Sequence, residues 1–226
     1  MPHAHSSVAI VPSLPAKSFA EIEALIEALD GTASEIQIDI VDGVYAPFTS
    51  WPFTEPRPVE ALQKLVLYTK KFLLEVDCMV SNPEQYLDIF VQIGVSRVVI
   101  HAGSTKKYRE NFAHAESHGY SIGLAVTNDT SLAVVEKYID DVAYVQVMGI
   151  KEIGQQGQAF DIRTLDTVRT LRLQYPELEI AVDGAVNEKT MPLLYTAGVT
   201  RFAPGSAVAK AHDPKASYTQ LLSLVT

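Results

Sequence analysis

This sequence predicts an eight-fold (β/α) barrel, a TIM barrel, in a single domain, on three observations. Eight short apolar runs alternate with helical segments, the signature of parallel βαβ units. Helical segments repeatedly close on Gly, an apolar or aromatic residue and then Ser or Thr: Gly94-Val95-Ser96, Gly119-Tyr120-Ser121 and Gly198-Val199-Thr200. A glycine just past a helix suits the left-handed position where a Cβ is costly. Finally, the 226 residues match one such barrel, which takes roughly 200–250 residues as a unit. The domain is therefore expected to span 1–226, with 1–7 as a disordered tail.

The first run, 8–12, is apolar and short enough for a buried parallel strand. Ser18 and Glu21 then form a capping-box pattern ahead of Ile22, Leu25, Ile26 and Leu29, so a helix follows. Strand two is expected at 35–40. Residues 42–58 carry Pro47, Trp51, Pro52, Pro56 and Pro58 and form the longest irregular stretch. Strand three is expected at 72–79. Asn82-Pro83-Glu84 supplies a cap, a first-turn proline and an acid before Leu87, Phe90 and Val91. The remaining strands are expected at 98–101, 121–126, 144–148, 179–182 and 201–203. Asn187 caps the helical segment through Met191 and Leu194.

Composition excludes several classes. The net charge of −9 disfavours nucleic acid or an anionic membrane as partner, while leaving room for an anionic substrate at a local site. No apolar run reaches the ~18 residues of a membrane span. The amino terminus lacks the basic-then-apolar order of a secretory signal. The single cysteine, Cys78, makes no internal disulfide, which fits a reducing cytoplasm. A cytoplasmic homo-oligomer is the expectation.

Chemistry in such barrels sits at the carboxyl ends of the strands. Asp39, Asp77 and Asp183 all fall there, each inside an apolar strand. A lone buried aspartate can be a structural acid bonded to backbone amides, but three converging on one mouth point to a shared site. Gln37 precedes Asp39 by two and faces the same side of its strand. Glu35 and Glu75 share that parity but lie deeper, and read as strand-end or solvated acids. His101 ends the fourth strand, where it either polarises a carbonyl or packs in the wall. His114 and His118 lie four apart on a helix without a third ligand and read as surface residues. Cys78 alternates with Asp77 and should face the helices as a small hydrophobe.

A phosphate needs backbone N–H groups at glycine turns. Gly154-Gln155-Gln156-Gly157 follows the sixth strand, and Pro204-Gly205-Ser206-Ala207 follows the eighth. Phosphate sites in this fold favour loops after late strands. The expected anion site lies between Gly154–Gly157, Gly184–Ala185 and Gly205–Ser206. Residues 42–58 are expected as a lid or rim over the site, with Trp51 covering apolar surface, or as an oligomer contact.

Taken in order, these motifs resemble the ribulose-phosphate 3-epimerase family over nearly the whole chain. Val11-Pro12-Ser13-Leu14 is similar to its opening Pro-Ser-Ile-Leu, whose serine meets substrate. Gln37-Ile38-Asp39-Ile40-Val41-Asp42-Gly43 resembles His-x-Asp-x-Met-Asp-Gly, and Asp77-Cys78-Met79-Val80 followed by Asn82-Pro83 resembles His-Leu-Met-Val with Asn-Pro. Gly154 to Phe160 looks like Pro-Gly-Phe-Gly-Gly-Gln-x-Phe. Val182-Asp183-Gly184-Ala185 is similar to Val-Asp-Gly-Gly, and Gly205-Ser206-Ala207 to Gly-Ser-Ala. The resemblance implies epimerisation at C3 of a ketopentose phosphate, with Asp39 and Asp183 as the two acid–base groups on opposite faces of the sugar. The expected substrate-binding set is Ser13, Gln37, Asp77, Met79, Met148, Gly154, Gly157, Gly184, Ala185, Gly205 and Ser206.

The resemblance also implies a divalent metal held by two histidines and two aspartates. Those histidine positions read Gln37 and Asp77 here, the acid after the fourth-strand histidine reads Gly103, and Gln156 and Ala185 interrupt the double glycines. Two accounts follow. In one, Gln37, Asp39, Asp77 and Asp183 form an all-oxygen metal site that favours Mg²⁺, Mn²⁺ or Ca²⁺ over Zn²⁺. In the other no metal binds, Gln37 donates its amide to Asp77, and one aspartate stays protonated. A non-catalytic phosphosugar-binding barrel and an epimerase for another ketose phosphate are the competing functions. A decarboxylase-like relative would carry Asp-x-Lys-x-x-Asp, and Asp39-Ile40-Val41-Asp42 has no such lysine.

Overall fold

Strand pairing places every element of the barrel, described here for residues 8–155 and 157–225 of a computed structural model. The tail 1–7, Gln156 and Thr226 lie outside the described residues. The strands are β1 (Ala9–Ile10), β2 (Ser13–Leu14), β3 (Glu35–Val41), β4 (Leu73–Met79), β5 (Arg97–His101), β6 (Ser121–Val126), β7 (Tyr144–Met148), β8 (Glu179–Asp183) and β9 (Arg201–Ala203). All pair in parallel, in the order β1-β9-β8-β7-β6-β5-β4-β3-β2. The first expected strand is thus two pieces hinged at Val11-Pro12. β1 pairs with β9 and β2 with β3. Val11 N donates to Phe202 O, Ser13 N to Pro204 O and Gln37 N to Pro12 O, so one broken stave closes a ring of eight. Pro12 contributes a carbonyl but has no N–H to give, which explains the break.

Helices α1 (Phe19–Leu29), α2 (Pro58–Leu62), α3 (Leu87–Ile93), α4 (Tyr108–His118), α5 (Ala133–Tyr138), α6 (Arg163–Gln174), α7 (Met191–Ala197), α8 (Ser206–Ala209) and α9 (Pro214–Leu222) complete the chain. Gly94, Gly119 and Gly198 end α3, α4 and α7 with φ of 85°, 75° and 113°. The starts differ from expectation in detail. Ser18 occupies the cap of α1 without a side-chain bond, and Glu21 instead accepts from Lys17 N at 3.0 Å. Asn82 caps a 3₁₀ turn, Pro83–Gln85, rather than α3. Asn187 Oδ1 accepts from Lys189 N one turn ahead of α7, whose own cap is Thr190.

Strand parity divides the core. Ile36, Ile38, Ile40, Leu74, Val76 and Cys78 face the helices in one large apolar layer, so Cys78 sits where its alternation with Asp77 puts it. The opposite parity fills the barrel. Its floor is ionic: Arg201 Nη2 lies 2.6 Å from Glu35 Oε2 and 3.0 Å from Glu75 Oε2, and Tyr144 OH donates to Glu75 Oε2 at 2.6 Å. Glu75 is therefore a buried, paired acid and not a solvated one, and burial raises its pKa against the pull of Arg201. Gly123 makes room for this plug, since a Cβ there would lie 2.3 Å from the Tyr144 ring. Among the described residues, no helix is long and apolar enough to cross a membrane.

Candidate active site

One step above that floor, β3, β4, β5, β7 and β8 deliver polar side chains to a single point. Register explains the convergence: Asp39 pairs with Asp77 across β3 and β4, and Met148 with Asp183 across β7 and β8. The amide nitrogen of Gln37 donates to Asp39 Oδ1 at 2.8 Å and to Asp183 Oδ2 at 3.2 Å. Asp77 is held from the other side, with His101 Nε2 2.6 Å from its Oδ1 and Gln146 Nε2 donating to its Oδ2 at 2.9 Å. Gln37 does not donate to Asp77, as the metal-free account expected; it joins the other two acids.

Burial and like charge set the protonation of this centre. Asp39 is held well above the ordinary carboxylate range, first by burial and then by the charges of Asp183 and Asp77. Asp183 is pushed up to about 8, again by burial first and then by Asp77. The Gln37 bonds oppose both shifts without reversing them. Neutral and ionised carboxyls can therefore coexist in one site near neutral pH.

A cavity of about 330 Å³ opens above the pair. Ser13, Asp39, Met79, Met148, Gly154, Gly157, Asp183, Gly184, Ala185, Gly205 and Ser206 all line it. Gln37 and Asp77 do not; both are fully buried beneath its wall. Asp39, Asp183 and the glycine turns share the cavity lining. Gly154, Gly157 and Gly184 adopt φ of 84°, 81° and 98°, and Ala185 joins them at 55°. An alanine in that left-handed region is strained, a cost that a functional turn can retain. The interruption of the double glycine at Gln156 lies outside the described residues.

The stretch 42–58 packs against the glycine turn after β7 but contributes no residue to the cavity lining, and Trp51 does not cover the site. Trp51 is fully buried and packs 5.3 Å from the Phe19 ring in the sheet–helix core. The stretch is pinned at Asp42, whose Oδ1 accepts from Val44 N and Tyr45 N and whose Oδ2 accepts from Ser81 N, each at 2.8 Å. Tyr45 OH reaches Ala102 O at 3.0 Å. Val41, Ala46, Phe48 and Met79 pack with Ile153, so the stretch props the glycine turn after β7. Ser50 fastens the stretch to β3, accepting from Val41 N and donating to Asp39 O.

Two further residues belong to the site. Gln146 was missed, though a glutamine between Val145 and Val147 with the parity of Met148 carries the same signal that singled out Asp39. Asn187 lines the cavity and donates to Ala185 O at 2.8 Å, which steadies the strained turn. His101 is a fully buried wall residue bonded to Asp77, and it does not reach the cavity. His114 is bonded to Tyr120 and Asp88 and stacks on His118, away from the site.

The expected metal can be tested against these bonds. By spacing, the three carboxylates could hold a cation, since one oxygen of each lies within 4.8 Å of the others. Their partners compete with it. Both Asp77 oxygens are engaged by His101 and Gln146, and the Gln37 amide nitrogen stands between Asp39 and Asp183. The residues present do not fit a resident divalent ion.

A (β/α) barrel with paired acids at its strand ends and glycine turns around the same cavity has its polar groups where barrels of this class carry out their chemistry. Its lineage is narrower: the chain matches the Ribulose-phosphate 3 epimerase family over residues 9–209 and belongs to that family. The ribulose-phosphate 3-epimerase of Schizosaccharomyces pombe is 31% identical over 209 residues, covering 91% of this chain and 89% of that protein. That of Bacillus subtilis is 27% identical, covering 95% and 98%. Among solved structures, 3-hexulose-6-phosphate synthase from Salmonella typhimurium superposes with a TM-score of 0.74 at 14% identity, over 96% of this chain and 98% of that one, and shares the fold.

Proposed function

We propose that this chain interconverts ribulose 5-phosphate and xylulose 5-phosphate. The observation that carries the reading is the pair Asp39 and Asp183, joined by one amide and facing one cavity. The C3–H bond lies beside the C2 ketone. One carboxylate takes that proton, the C–H electrons form the C2–C3 double bond, and the carbonyl electrons move to O2 to give an enediolate. The other acid, still protonated, returns a proton to C3 from the opposite face, and the ketone re-forms with C3 inverted. Each acid ends in the other's starting state, and a proton exchange resets the pair. This needs one base and one acid together, which the raised pKa values of both groups support.

The phosphate is assigned to the turns at Gly154–Gly157, Gly184–Ala185 and Gly205–Ser206, which share the cavity with the acids. Ser13 and the methionines Met79 and Met148 complete its wall. A cytoplasmic homo-oligomer belongs to the same reading.

One observation favours a different ketose phosphate. Ala185 carries a methyl into the cavity wall at a turn where the family motif has glycine. Proton NMR in D₂O decides between these readings. Loss of the C3 proton signal and growth of xylulose 5-phosphate from ribulose 5-phosphate support the first. Exchange with another ketose phosphate alone supports the second. No exchange with any ketose phosphate would leave a non-catalytic binding barrel.

A further inference from the structure

We propose that the acid pair works with no resident divalent cation, its place being filled by the amide of Gln37. This rests on the epimerase reading only for what the acids do; the question of the ion stands on geometry alone. A cation that bridged Asp39 and Asp183 between Asp39 Oδ1 and Asp183 Oδ2 would need the place that Gln37 holds. Gln37 Nε2 is already 2.8 and 3.2 Å from those two atoms, with one N–H for each. An amide nitrogen cannot ligate a cation, so Gln37 would have to turn its oxygen inward and abandon both bonds.

The third carboxylate is equally committed. Asp77 stands where the family motif has a metal-ligating histidine, yet its Oδ1 meets His101 Nε2 and its Oδ2 accepts from Gln146 Nε2. These partners come from β5 and β7, on the side of Asp77 opposite β3. They engage one oxygen each and hold the carboxylate from that side. The two departures from the motif thus act together: Gln37 replaces a ligand with a donor, and Gln146 with His101 retains the acid that replaces the other ligand. Gln37 touches neither the cavity nor the reacting atoms and is a positioning residue, holding the acids at a fixed spacing.

The test is metal content, measured without reference to turnover. The full chain is purified without chelator from medium supplemented with Mn²⁺, Fe²⁺ and Zn²⁺, and metal per chain is measured by mass spectrometry. Thermal unfolding is then followed with Mn²⁺, Co²⁺ or Zn²⁺ added. Far less than one ion per chain and no saturable shift in melting temperature are expected. The double variant Q37H/D77H should take up about one Co²⁺ per chain, seen as d–d absorption bands, because it restores two nitrogen ligands beside two aspartates. The single variant Q37H serves if the double variant fails to fold. A stoichiometric, chelator-removable ion in the unaltered chain would overturn the proposal. An empty unaltered chain with a variant that also stays empty would overturn the role given to Gln37 and Asp77. Should the metal-free chain turn over no ketose phosphate at all, the functional reading fails while the metal result stands.

Discussion

Gln146 donates its amide to Asp77 Oδ2 at 2.9 Å across the barrel, from β7 to β4. The bond fixes the carboxylate whose charge raises the pKa of both Asp39 and Asp183. Gln146→Leu should therefore do two things. Removing the donor from a fully buried acceptor should cost about 1–3 kcal/mol in chemical denaturation. It should also lower kcat more than it alters KM, because Gln146 lies outside the cavity lining. A variant that changes KM alone would show that Gln146 contacts substrate.

Asp39→Asn and Asp183→Asn should each abolish net epimerisation. Asparagine keeps the shape but cannot exchange a proton, a loss on the order of 10²–10⁴-fold. The double variant should be little worse than either single one, since the acids act in relay. One single variant should still exchange the C3 proton of one epimer with D₂O, because the remaining acid removes and returns a proton on its own face. Full activity in both single variants would remove the two-acid mechanism.

Stability should fall as pH rises through the neutral range. Asp183 ordinarily titrates near 3.8 and is held at about 8 in the fold, so the folded chain keeps a proton that the unfolded chain has lost. The stability from that neutral form is complete below about pH 4 and is lost as pH climbs towards about 8. Asp39 and Glu75 shift in the same direction. Unfolding free energies between about pH 5 and about pH 8 should thus slope downwards, and Asp183→Asn should flatten the slope. An unchanged slope in that variant would contradict the assignment.

Ala185→Gly should stabilise the chain by roughly 1 kcal/mol. Alanine at φ 55° sits in the left-handed region, where an L side chain costs about 1–2 kcal/mol, partly offset by the freedom glycine gains when unfolded. Inorganic phosphate should protect both proteins against thermal unfolding. If phosphate protects neither, the anion site is not at these turns.

Arg201→Leu should be among the most damaging single changes in the floor. It leaves Glu75 buried with the Tyr144 hydroxyl but without its ion-pair partner, a loss of about 3–5 kcal/mol for a broken buried pair. A fold that tolerates the change by less than about 1 kcal/mol would show that Glu75 is held neutral and needs no partner.

Much of this was legible along the chain. Alternation put Asp39, Asp77 and Gln37 inside and Cys78 outside, because successive side chains on a strand point to opposite faces. Glycine after a helix marked three of the boundaries, because few other residues accept that backbone. The same parity rule would have found Gln146, had a polar residue in an apolar strand been given the weight that an acid was. Trp51 was misjudged for a different reason. A large aromatic in a long loop has no periodicity to say whether it faces the site or the helices, and here it was taken up by the packing of Phe19.

Local chemistry along the sequence determined the strands, the helix ends and which residues the barrel would turn inward. Only the closed barrel decided which inward groups meet. Gln37 and Asp183 are 146 residues apart, and Gln146 and Asp77 are 69 apart, so no local rule relates them. Register across successive parallel strands brings them to one height, and burial then forces each polar atom to choose a partner from the few within reach. That choice, a donor between two acids, is the tertiary feature on which the proposal of a cation-free centre rests.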